Sequence, residues 1–360
     1  METKLENIEE VKKIDTANMA NDLKAFSDQF KKAREIAGKF SIPEDWNDFK
    51  PKGIVLAGMG GSAMGGDLVR NYTQYELKVP FTIIRNYDLP KYVNENYLVF
   101  ISSYSGNTEE TVNALYEALN RNAKVICIAS GGIIKEEAEK HNLPLISLPE
   151  GFQPRVALGY SFVPILRVLE NLNLIPTKQE KLDKTQNLIQ KLSDQYCIES
   201  NDNKAKELAE KIYNGGNMLT PVIYGNDDFF STVAARWQIF IYENAKAYSA
   251  IGVFPELNHN QMMGWLGIEN SFKDFIFILL RDPDEHEAMK KRVEASKNIL
   301  IEKFGEDKII EIYPQGETTL EHMFSLIYLG DWISYYLAIL KRIDPTKVEL
   351  VEKLKTLLKE

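Results

Sequence analysis

The chain has 360 residues, of which 44% are hydrophobic, and a formal net charge of −9. It is long enough to bury a sizeable core, and its length favours two domains. The negative net charge and the absence of a basic cluster in the sequence argue against a dedicated nucleic-acid-binding surface. The two cysteines, Cys127 and Cys197, have neither metal-ligand nor disulfide-framework spacing. Cys127 lies in an apolar run and is expected to be a buried strand residue.

The acidic N-terminal residues lack the apolar core of a signal peptide. The longest apolar runs, such as 275–280, are much shorter than a membrane span. We therefore expect a soluble cytoplasmic protein that binds neither membrane nor nucleic acid.

In chain order, helical spacing of apolar residues over 4–42 leads into a polar connector ending near Pro51. From Gly53 onward, short apolar β-branched runs alternate with helical segments. The predicted strands are 53–57, 79–84, 98–103, 124–129 and 145–148. Strands that alternate with helices indicate a parallel sheet with helices on both faces.

A polar helical region over 178–214 separates this part from a second α/β unit that begins at Pro221. A helix is expected at 232–246, followed by a loop-rich stretch at 251–267. The remaining predicted elements are strands at 275–280 and 308–313 and helices at 286–303 and 320–341. The last helix carries four apolar residues at the spacing of a core face: Val348, Val351, Leu354 and Leu358.

The predicted fold class is α/β, with two doubly wound parallel-sheet domains and helical segments at the N-terminal and C-terminal ends. The predicted domains are an N-terminal helical segment (1–50), a first α/β domain (51–175), a helical connector (176–216) and a second α/β domain with the C-terminal helix (217–360).

The most informative stretch is 53–70, in which an apolar run breaks into glycines and resumes as a helix. Glycine lets the backbone approach a ligand, and the helix start offers free N–H groups, so the pattern is typical of a phosphate site. An ordinary turn between strand and helix is the alternative. The dinucleotide pattern has a third glycine where Ala63 stands, but some dinucleotide folds tolerate that substitution, so a dinucleotide site stays open as an alternative. The second strand continues into Arg85 without an obvious acid at its end for a ribose, which disfavours this alternative.

A second loop, 102–111, places hydroxyl side chains and Gly106 where a predicted strand ends and a helix begins. Hydroxyl groups beside helix-start N–H groups suit a phosphate. Thr108 with Thr111, or Ser105 with Thr108, would equally serve as an ordinary helix cap. Two such loops at the ends of neighbouring strands are more than helix capping requires. Ligands of open α/β sheets bind at that edge, so a ligand site is also expected here.

Three further residues carry potential chemistry. Glu243 stands near the C-terminal end of a predicted helix, where the helix dipole disfavours a carboxylate. An ion pair with Lys246 on the surface would be an ordinary explanation for a glutamate at this position. His259 lies between two asparagines, and a lone histidine in such a turn is usually a solvated loop residue. Arg155 follows Pro154 at a predicted helix start, where the dipole disfavours a cation, so a ligand or an acidic partner is expected.

Five segments, in order and spanning nearly the whole chain, resemble the bifunctional phosphoglucose/phosphomannose isomerase family, which has two sugar isomerase (SIS) domains. The matching segments are 58–62, 103–108, 154–155, 243–246 and 256–260. The resemblance implies an aldose–ketose isomerase that acts on hexose phosphates without a metal or a nicotinamide cofactor. It also implies a homodimer.

The resemblance also implies roles for individual residues. Gly60, Gly61 and Ser62 would lie at the sugar phosphate, and Ser103, Ser105 and Thr108 would hold its phosphate. Arg155 would stabilise the enediolate, and Glu243 would move the proton between C1 and C2. His259 of the partner subunit would assist ring opening. A C-terminal lysine would also contribute, and its setting matches Lys355, with Lys353 and Lys359 close by.

One position departs from the family pattern, because Gln261 stands where the family often has glutamate, which removes a charge near His259. A non-catalytic sugar-phosphate sensor is the alternative function, although residues 1–50 contain no basic helix-turn-helix. An amino-sugar enzyme of the same fold would need an ammonia source, and the sequence has no glutaminase-like segment.

Overall fold

The computed structural model describes residues 5–267 and 272–358. Two compact units are present: the first spans 25–186, and the second combines the described parts of 1–24 and 187–360. Each unit contains one parallel sheet. The predicted class of two parallel-sheet α/β domains with helices towards both chain ends is therefore confirmed.

The N-terminal helices are divided between the two units. Helices α1 (Ile8–Ile14) and α2 (Met19–Lys24) belong to the second unit, whereas α3 (Phe26–Lys39) belongs to the first. Phe26 and Phe30 of α3 are buried, as their helical spacing predicts.

The first unit contains a five-stranded sheet in the order β2-β1-β3-β4-β5. Its strands are β1 (Gly53–Ala57), β2 (Phe81–Ile84), β3 (Tyr97–Ser102), β4 (Lys124–Ala129) and β5 (Leu145–Ser147). The helices that follow are α4 (Gly60–Thr73), α5 (Glu109–Asn120), α6 (Gly132–Lys140) and α7 (Leu158–Asn171). Cys127 of β4 is fully buried, as predicted, and burial raises the pKa of its thiol to about 12.

The second unit contains a four-stranded sheet in the order β7-β6-β8-β9. After α8 (Gln179–Tyr196) and α9 (Lys204–Tyr213), its strands are β6 (Thr220–Asn226), β7 (Ala250–Phe254), β8 (Phe275–Leu280) and β9 (Ile309–Ile312). Its remaining helices are α10 (Phe230–Glu243), α11 (Glu287–Phe304), α12 (Thr319–Leu340) and α13 (Glu349–Leu357).

Helix α12 is long and apolar enough to cross a membrane by length and composition alone. Its most apolar window is, however, completely buried within the protein. A helix that is apolar on all sides and buried in this way is typical of the core of a soluble protein. Its start is fixed by a capping box, in which Thr318 and Glu321 satisfy each other's backbone N–H groups.

Residues 250–254 form an edge strand, β7, where the sequence predicts the start of a loop. Glycine in the middle of a strand weakens the strand signal. Gly252 is required here because an added Cβ would lie 2.5 Å from Gln261 Oε1 and 2.6 Å from the Tyr224 ring. The close packing of side chains over the strand therefore explains why the sequence pattern fails to indicate it.

The predicted helical region at 178–214 contains two helices, α8 and α9. Asn203 interrupts it, because its side chain accepts hydrogen bonds from the N–H groups of Ala205 and Lys206 and so starts α9.

The apolar residues of α13 do not form a core face. Val351, Leu354 and Leu358 are 48%, 56% and 73% exposed, and α13 buries none of its residues. Helical spacing of apolar residues predicts that one face is apolar, but it does not say what covers that face.

Candidate active site

The predicted phosphate-binding residues meet at one edge of the first sheet. Gly60, Gly61 and Ser62 begin α4 directly after β1, and the 103–108 loop joins β3 to α5. Because β1 and β3 are parallel neighbours, both loops leave the carboxyl edge of the sheet side by side. This edge is where ligands bind in open α/β sheets.

The two glycines at the start of α4 differ in their surroundings. Gly60 has φ +51°, which favours glycine, and the space beside its Cα is open. A Cβ on Gly61 would lie 2.6 Å from the carbonyl oxygen of Pro154. Gly61 therefore admits the neighbouring backbone turn that carries Arg155.

Ser62 joins the two loops. Its side chain is buried, and its Oγ accepts a hydrogen bond of 3.1 Å from the backbone N–H of Tyr104. Since a serine hydroxyl both accepts and donates, its proton can still be donated to a ligand. Ser62 therefore sets the spacing of the two loops while presenting a donor.

The hydroxyl groups of the 103–108 loop do not cap α5 in the way that the sequence allows. Thr108 occupies the N-cap position, but its side chain makes no capping hydrogen bond. Its Oγ1 instead lies 2.9 Å from Oγ of the buried Ser103, which also accepts from the N–H of Gly106 at 3.2 Å. The start of α5 thus presents N–H groups beside paired hydroxyls, which is a favourable environment for an oxyanion.

Ser105 is exposed, and its Oγ accepts from the N–H of Asn107 at 3.4 Å. Asn107 also has a structural task, because its Oδ1 accepts a 3.2 Å hydrogen bond from the N–H of Ile133 near the start of α6. The asparagine therefore holds the hydroxyl loop against the next loop of the sheet.

Gly106 permits this packing. It has φ +71°, and an added Cβ would lie 1.7 Å from the carbonyl oxygen of Gly131. The N–H of Ile134 donates to the carbonyl of Gly106 at 3.0 Å. A side chain at position 106 would force these two loops apart.

Sequence reasoning missed the role of Tyr104. Its hydroxyl donates to the Pro149 carbonyl at 2.6 Å and accepts from the N–H of Phe152 at 3.0 Å. It thereby ties the hydroxyl loop to the segment that leads into Arg155. A tyrosine beside serines carries no sequence signal of this kind, because both partners are backbone groups 45 and 48 residues further along the chain.

Arg155 lies in the 3-10 turn Pro154–Val156 and is only 5% exposed. The turn packs against α4 through Gly61. Guanidinium remains charged when it is buried, so this residue brings a fixed positive charge to the same region of the first unit.

Arg85 follows β2 and forms an ion pair with Asp67 of α4. The acid that binds the ribose of NAD is therefore absent from this position, whereas an arginine here is compatible with the 2′-phosphate of NADP.

Glu243, His259 and Lys355 belong to the second unit. Glu243 ends α10 and is half-buried. Lys246 Nζ donates to the carbonyl of Glu243 at 2.8 Å, and Lys341 Nζ donates to that of Ala245, also at 2.8 Å. Burial lowers the pKa of Lys341. The two cations satisfy the carbonyl end of α10 and offset the unfavourable position of the Glu243 carboxylate.

Helix α12 fixes the position of α10. Arg236 forms a bidentate pair with Asp331 at 3.0 and 2.7 Å, and both residues are almost fully buried. Next to Glu243, Asn244 Nδ2 donates to Ser334 Oγ at 2.9 Å. Glu243 therefore stands on a rigid support, as a precisely positioned acid–base group requires.

His259 is exposed and directly follows the 3-10 turn Glu256–Asn258. Two residues later, Gln261 Nε2 donates to the carbonyl of Ile251 at 3.0 Å and anchors the loop to β7. An ionised glutamate could not donate this hydrogen bond. The departure from the family pattern therefore has a structural role in this chain.

Lys355 lies on α13 and is exposed, as is Lys353. Lys359 lies outside the described residues. The structure thus brings the predicted phosphate-binding residues together with the Arg155 turn in the first unit, and places the predicted proton-transfer residues in the second.

Both halves of the chain match family models. Residues 49–172 match the SIS domain, and residues 201–358 match the bacterial phospho-glucose isomerase C-terminal SIS domain. These matches cover the two sheets, β1 to β5 and β6 to β9.

Two curated relatives are similar along nearly their whole length. A bifunctional phosphoglucose/phosphomannose isomerase from Caldicellulosiruptor bescii is 38% identical, over 92% of this chain and 96% of the relative. A protein of the same name from Aquifex aeolicus is 35% identical, over 92% of this chain and 98% of the relative.

Among solved structures, a hypothetical protein from Thermus thermophilus aligns with a TM-score of 0.75 at 16% identity. The alignment covers 98% of this chain and 93% of that protein. At this identity the likeness concerns the fold alone.

Proposed function

This chain belongs to the bifunctional phosphoglucose/phosphomannose isomerase family, and we propose on that basis that it interconverts glucose 6-phosphate and mannose 6-phosphate with fructose 6-phosphate. The proposed chemistry is a proton transfer through a cis-enediol or enediolate that uses neither metal nor nicotinamide. We further propose that the enzyme acts in the cytoplasm as a homodimer.

The observation that carries the proposal is the arrangement at the carboxyl edge of the first sheet. The Ser103 and Thr108 hydroxyls pair with each other instead of capping α5. Ser62 connects this loop to the start of α4, and the buried Arg155 lies on a turn that packs against α4. Hydroxyl groups, helix-start N–H groups and a guanidinium together suit a phosphorylated substrate.

In the proposed mechanism, Ser103, Ser105 and Thr108 bind the phosphate, and Gly60, Gly61 and Ser62 border the sugar. The Glu243 carboxylate removes the proton from C2 of the open-chain aldose. The C–H electrons form the C1–C2 double bond, and the negative charge moves to O1, where Arg155 stabilises it. Glu243 returns the proton to C1, and the O2 proton passes to the oxyanion at O1, so that O1 becomes the C1 hydroxyl and O2 becomes the ketose carbonyl.

Ring opening must precede this step. We assign it to His259 of the partner subunit, with Lys355 as an additional contact to the substrate. The exposure of His259 and of α13 in the single chain supports this assignment, because a residue that serves a second copy must lie on the surface.

The test of the proposed function is conversion of each aldose phosphate by untagged protein that has been treated with EDTA. Both substrates are expected to yield fructose 6-phosphate at the same rate as with protein that has not been treated with EDTA. NMR or a coupled assay measures this rate. Loss of activity with the chelator would contradict the metal-independent mechanism. Binding of both sugar phosphates without conversion would favour the non-catalytic sensor instead.

Complementation tests whether His259 acts across the dimer. Two differently tagged variants, Glu243→Gln and His259→Asn, are co-expressed, and the mixed dimer is purified through both tags. If each site combines Glu243 of one protomer with the partner's histidine, one of the two sites is intact, and the mixed dimer should recover about half of the wild-type activity. An inactive mixed dimer would place both residues in the same chain's site, and a monomer in solution would contradict the dimer itself.

A further inference from the structure

We propose that the second unit holds a structural divalent transition-metal ion between Asp282, Asp284 and His322. Each of these residues offers one ligand atom, and the three atoms all lie within 4.8 Å of one another. The site would occupy the carboxyl edge of the second sheet, where the chain leaves β8 and where α12 begins.

Exposed acidic groups often cluster without binding an ion, so the histidine carries the argument. His322 is 6% exposed, and its Nε2 lies 3.2 Å from the carbonyl oxygen of Gly316. Because a carbonyl only accepts, this contact assigns the ring proton to Nε2. In the neutral ring, Nδ1 then keeps its lone pair and lies 3.7 Å from Asp284 Oδ2, beyond hydrogen-bond distance.

An imidazole nitrogen beside two carboxylates calls for a positive charge among them, which a proton on Nδ1 or a bound metal ion would supply. The arrangement of His322 matches that of metal-ligating histidines, which usually donate their other ring N–H to a carbonyl or a carboxylate.

Asp282 is held in a similar way. Asn226 Oδ1 accepts from the N–H groups of Phe229 and Phe230 at 3.3 and 3.1 Å, which fixes the orientation of its amide. Its Nδ2 consequently faces Asp282 and donates to Oδ2 at 2.9 Å. A ligand carboxylate that is itself hydrogen-bonded by a fixed side chain is a common feature of built metal sites.

The neighbouring arginine does not account for the two carboxylates. Arg281 is buried, and its guanidinium bonds to three other acids, Glu285, Glu294 and Glu311. Those partners already balance its charge, so the negative charge of the Asp282 and Asp284 pair is available to a cation.

The donor set indicates the class of metal. One imidazole nitrogen with two carboxylate oxygens suits Zn²⁺ and its transition-metal neighbours better than Mg²⁺ or Ca²⁺, which prefer oxygen ligands alone. Zinc lies about 2.0–2.2 Å from such ligands, so a small rotation of the exposed Asp284 side chain brings all three donors into range. Water would complete the coordination.

The site is separate from the proposed chemistry. Asn226 lies just before the start of α10, whereas Glu243 ends that helix, and 14 helical residues span roughly 20 Å. A metal at this edge would join the end of β8 to the start of α12, the helix that supports α10. Removal of the metal is therefore expected to lower the stability of the second unit. The proposed isomerase activity should be unchanged in EDTA-treated protein.

No motif in the sequence marks this site. Asp284 and His322 are separated by α11 and β9, and their spacing matches no common ligand pattern. The fold alone brings them together.

The test is an isothermal calorimetric titration of Zn²⁺, and separately of Mg²⁺, into untagged protein that has been stripped with EDTA and desalted. Thermal melting of the same samples is measured in parallel. One saturable site is expected for Zn²⁺, with a Tm that rises as Zn²⁺ is added. Asp284→Asn should abolish this site, and because position 284 is exposed the variant should fold, as circular dichroism checks. His322→Gln, which can still donate to Gly316, should abolish the site as well.

Asn226→Ala removes the supporting hydrogen bond to Asp282, together with the two that Asn226 accepts at the start of α10, and should weaken Zn²⁺ binding by roughly 10–100-fold in a variant that circular dichroism shows to be folded. Asp307→Asn is the matched control, since Asp307 is an exposed acid in the same unit, and it should bind as the wild type does. No saturable Zn²⁺ site in the wild type would overturn the proposal. Equal binding by the wild type, Asp284→Asn and His322→Gln would also overturn it, because the ion would then lie elsewhere.

Discussion

Replacing Glu243 with glutamine is expected to lower kcat for aldose–ketose conversion by roughly 10²–10⁴-fold, the contribution of a positioned general base. The amide has nearly the same shape but cannot accept the C2 proton. KM should change little, because the proposed phosphate-binding groups lie in the first unit and are untouched. Steady-state kinetics with both aldose phosphates measure kcat and KM separately.

The structure explains why this variant should fold. The Glu243 side chain is half-buried, and α10 is anchored to α12 through Arg236 and Asn244. Glu207→Gln, an exposed glutamate-to-glutamine change on α9, is the matched control and should retain wild-type kinetics. A Glu243→Gln enzyme with wild-type kcat would remove this residue as the base.

Gly106→Ala is expected to reduce kcat/KM by about 10²-fold, because a displacement of an ångström in a positioning element can have that effect. The new Cβ would lie 1.7 Å from the Gly131 carbonyl, and φ at this position is +71°. The left-handed conformation alone disfavours a residue other than glycine by about 1–2 kcal/mol. The loop must therefore move away from Gly131, and the Ser103–Thr108 hydroxyl pair moves with it.

Gly38→Ala provides the matched control. Gly38 is exposed on α3 with open space where its Cβ would be, so alanine there should leave kinetics unchanged and stabilise the helix by roughly 0.5–1 kcal/mol. Thr108→Val removes a hydroxyl without the steric clash and should raise KM for the sugar phosphate. If Gly106→Ala folds and keeps wild-type kcat/KM, the 103–108 loop does not position the phosphate.

The alternation of short apolar runs with helices was sufficient to predict both parallel sheets, because strands buried on both faces have continuous apolar sequences. It failed at β7, where Gly252 interrupts the apolar run to accommodate Gln261 and Tyr224. It also failed at α13, whose apolar residues are correctly spaced but exposed. In both cases tertiary packing, which periodicity does not encode, determines the outcome.

For the candidate site, sequence predicted which loops meet but not how they are held. The proximity of the start of α4 to the 103–108 loop follows from parallel strand order. The Ser62–Tyr104 hydrogen bond and the clash that excludes a side chain at Gly61 depend on long-range backbone approaches. The grouping of Asp282 with His322 likewise arises only when β8 and α12 are placed in the fold.

We propose that the chain moves a proton between adjacent sugar carbons without a metal. The most direct measurement is the conversion of glucose 6-phosphate in D₂O by EDTA-treated enzyme, with the label located by NMR. Because a carboxylic acid exchanges its proton with solvent during the lifetime of an enediolate, deuterium is predicted at C1 of a fraction of the fructose 6-phosphate. Full conversion with no solvent deuterium at C1 would contradict proton transfer through a carboxylic acid that exchanges with solvent.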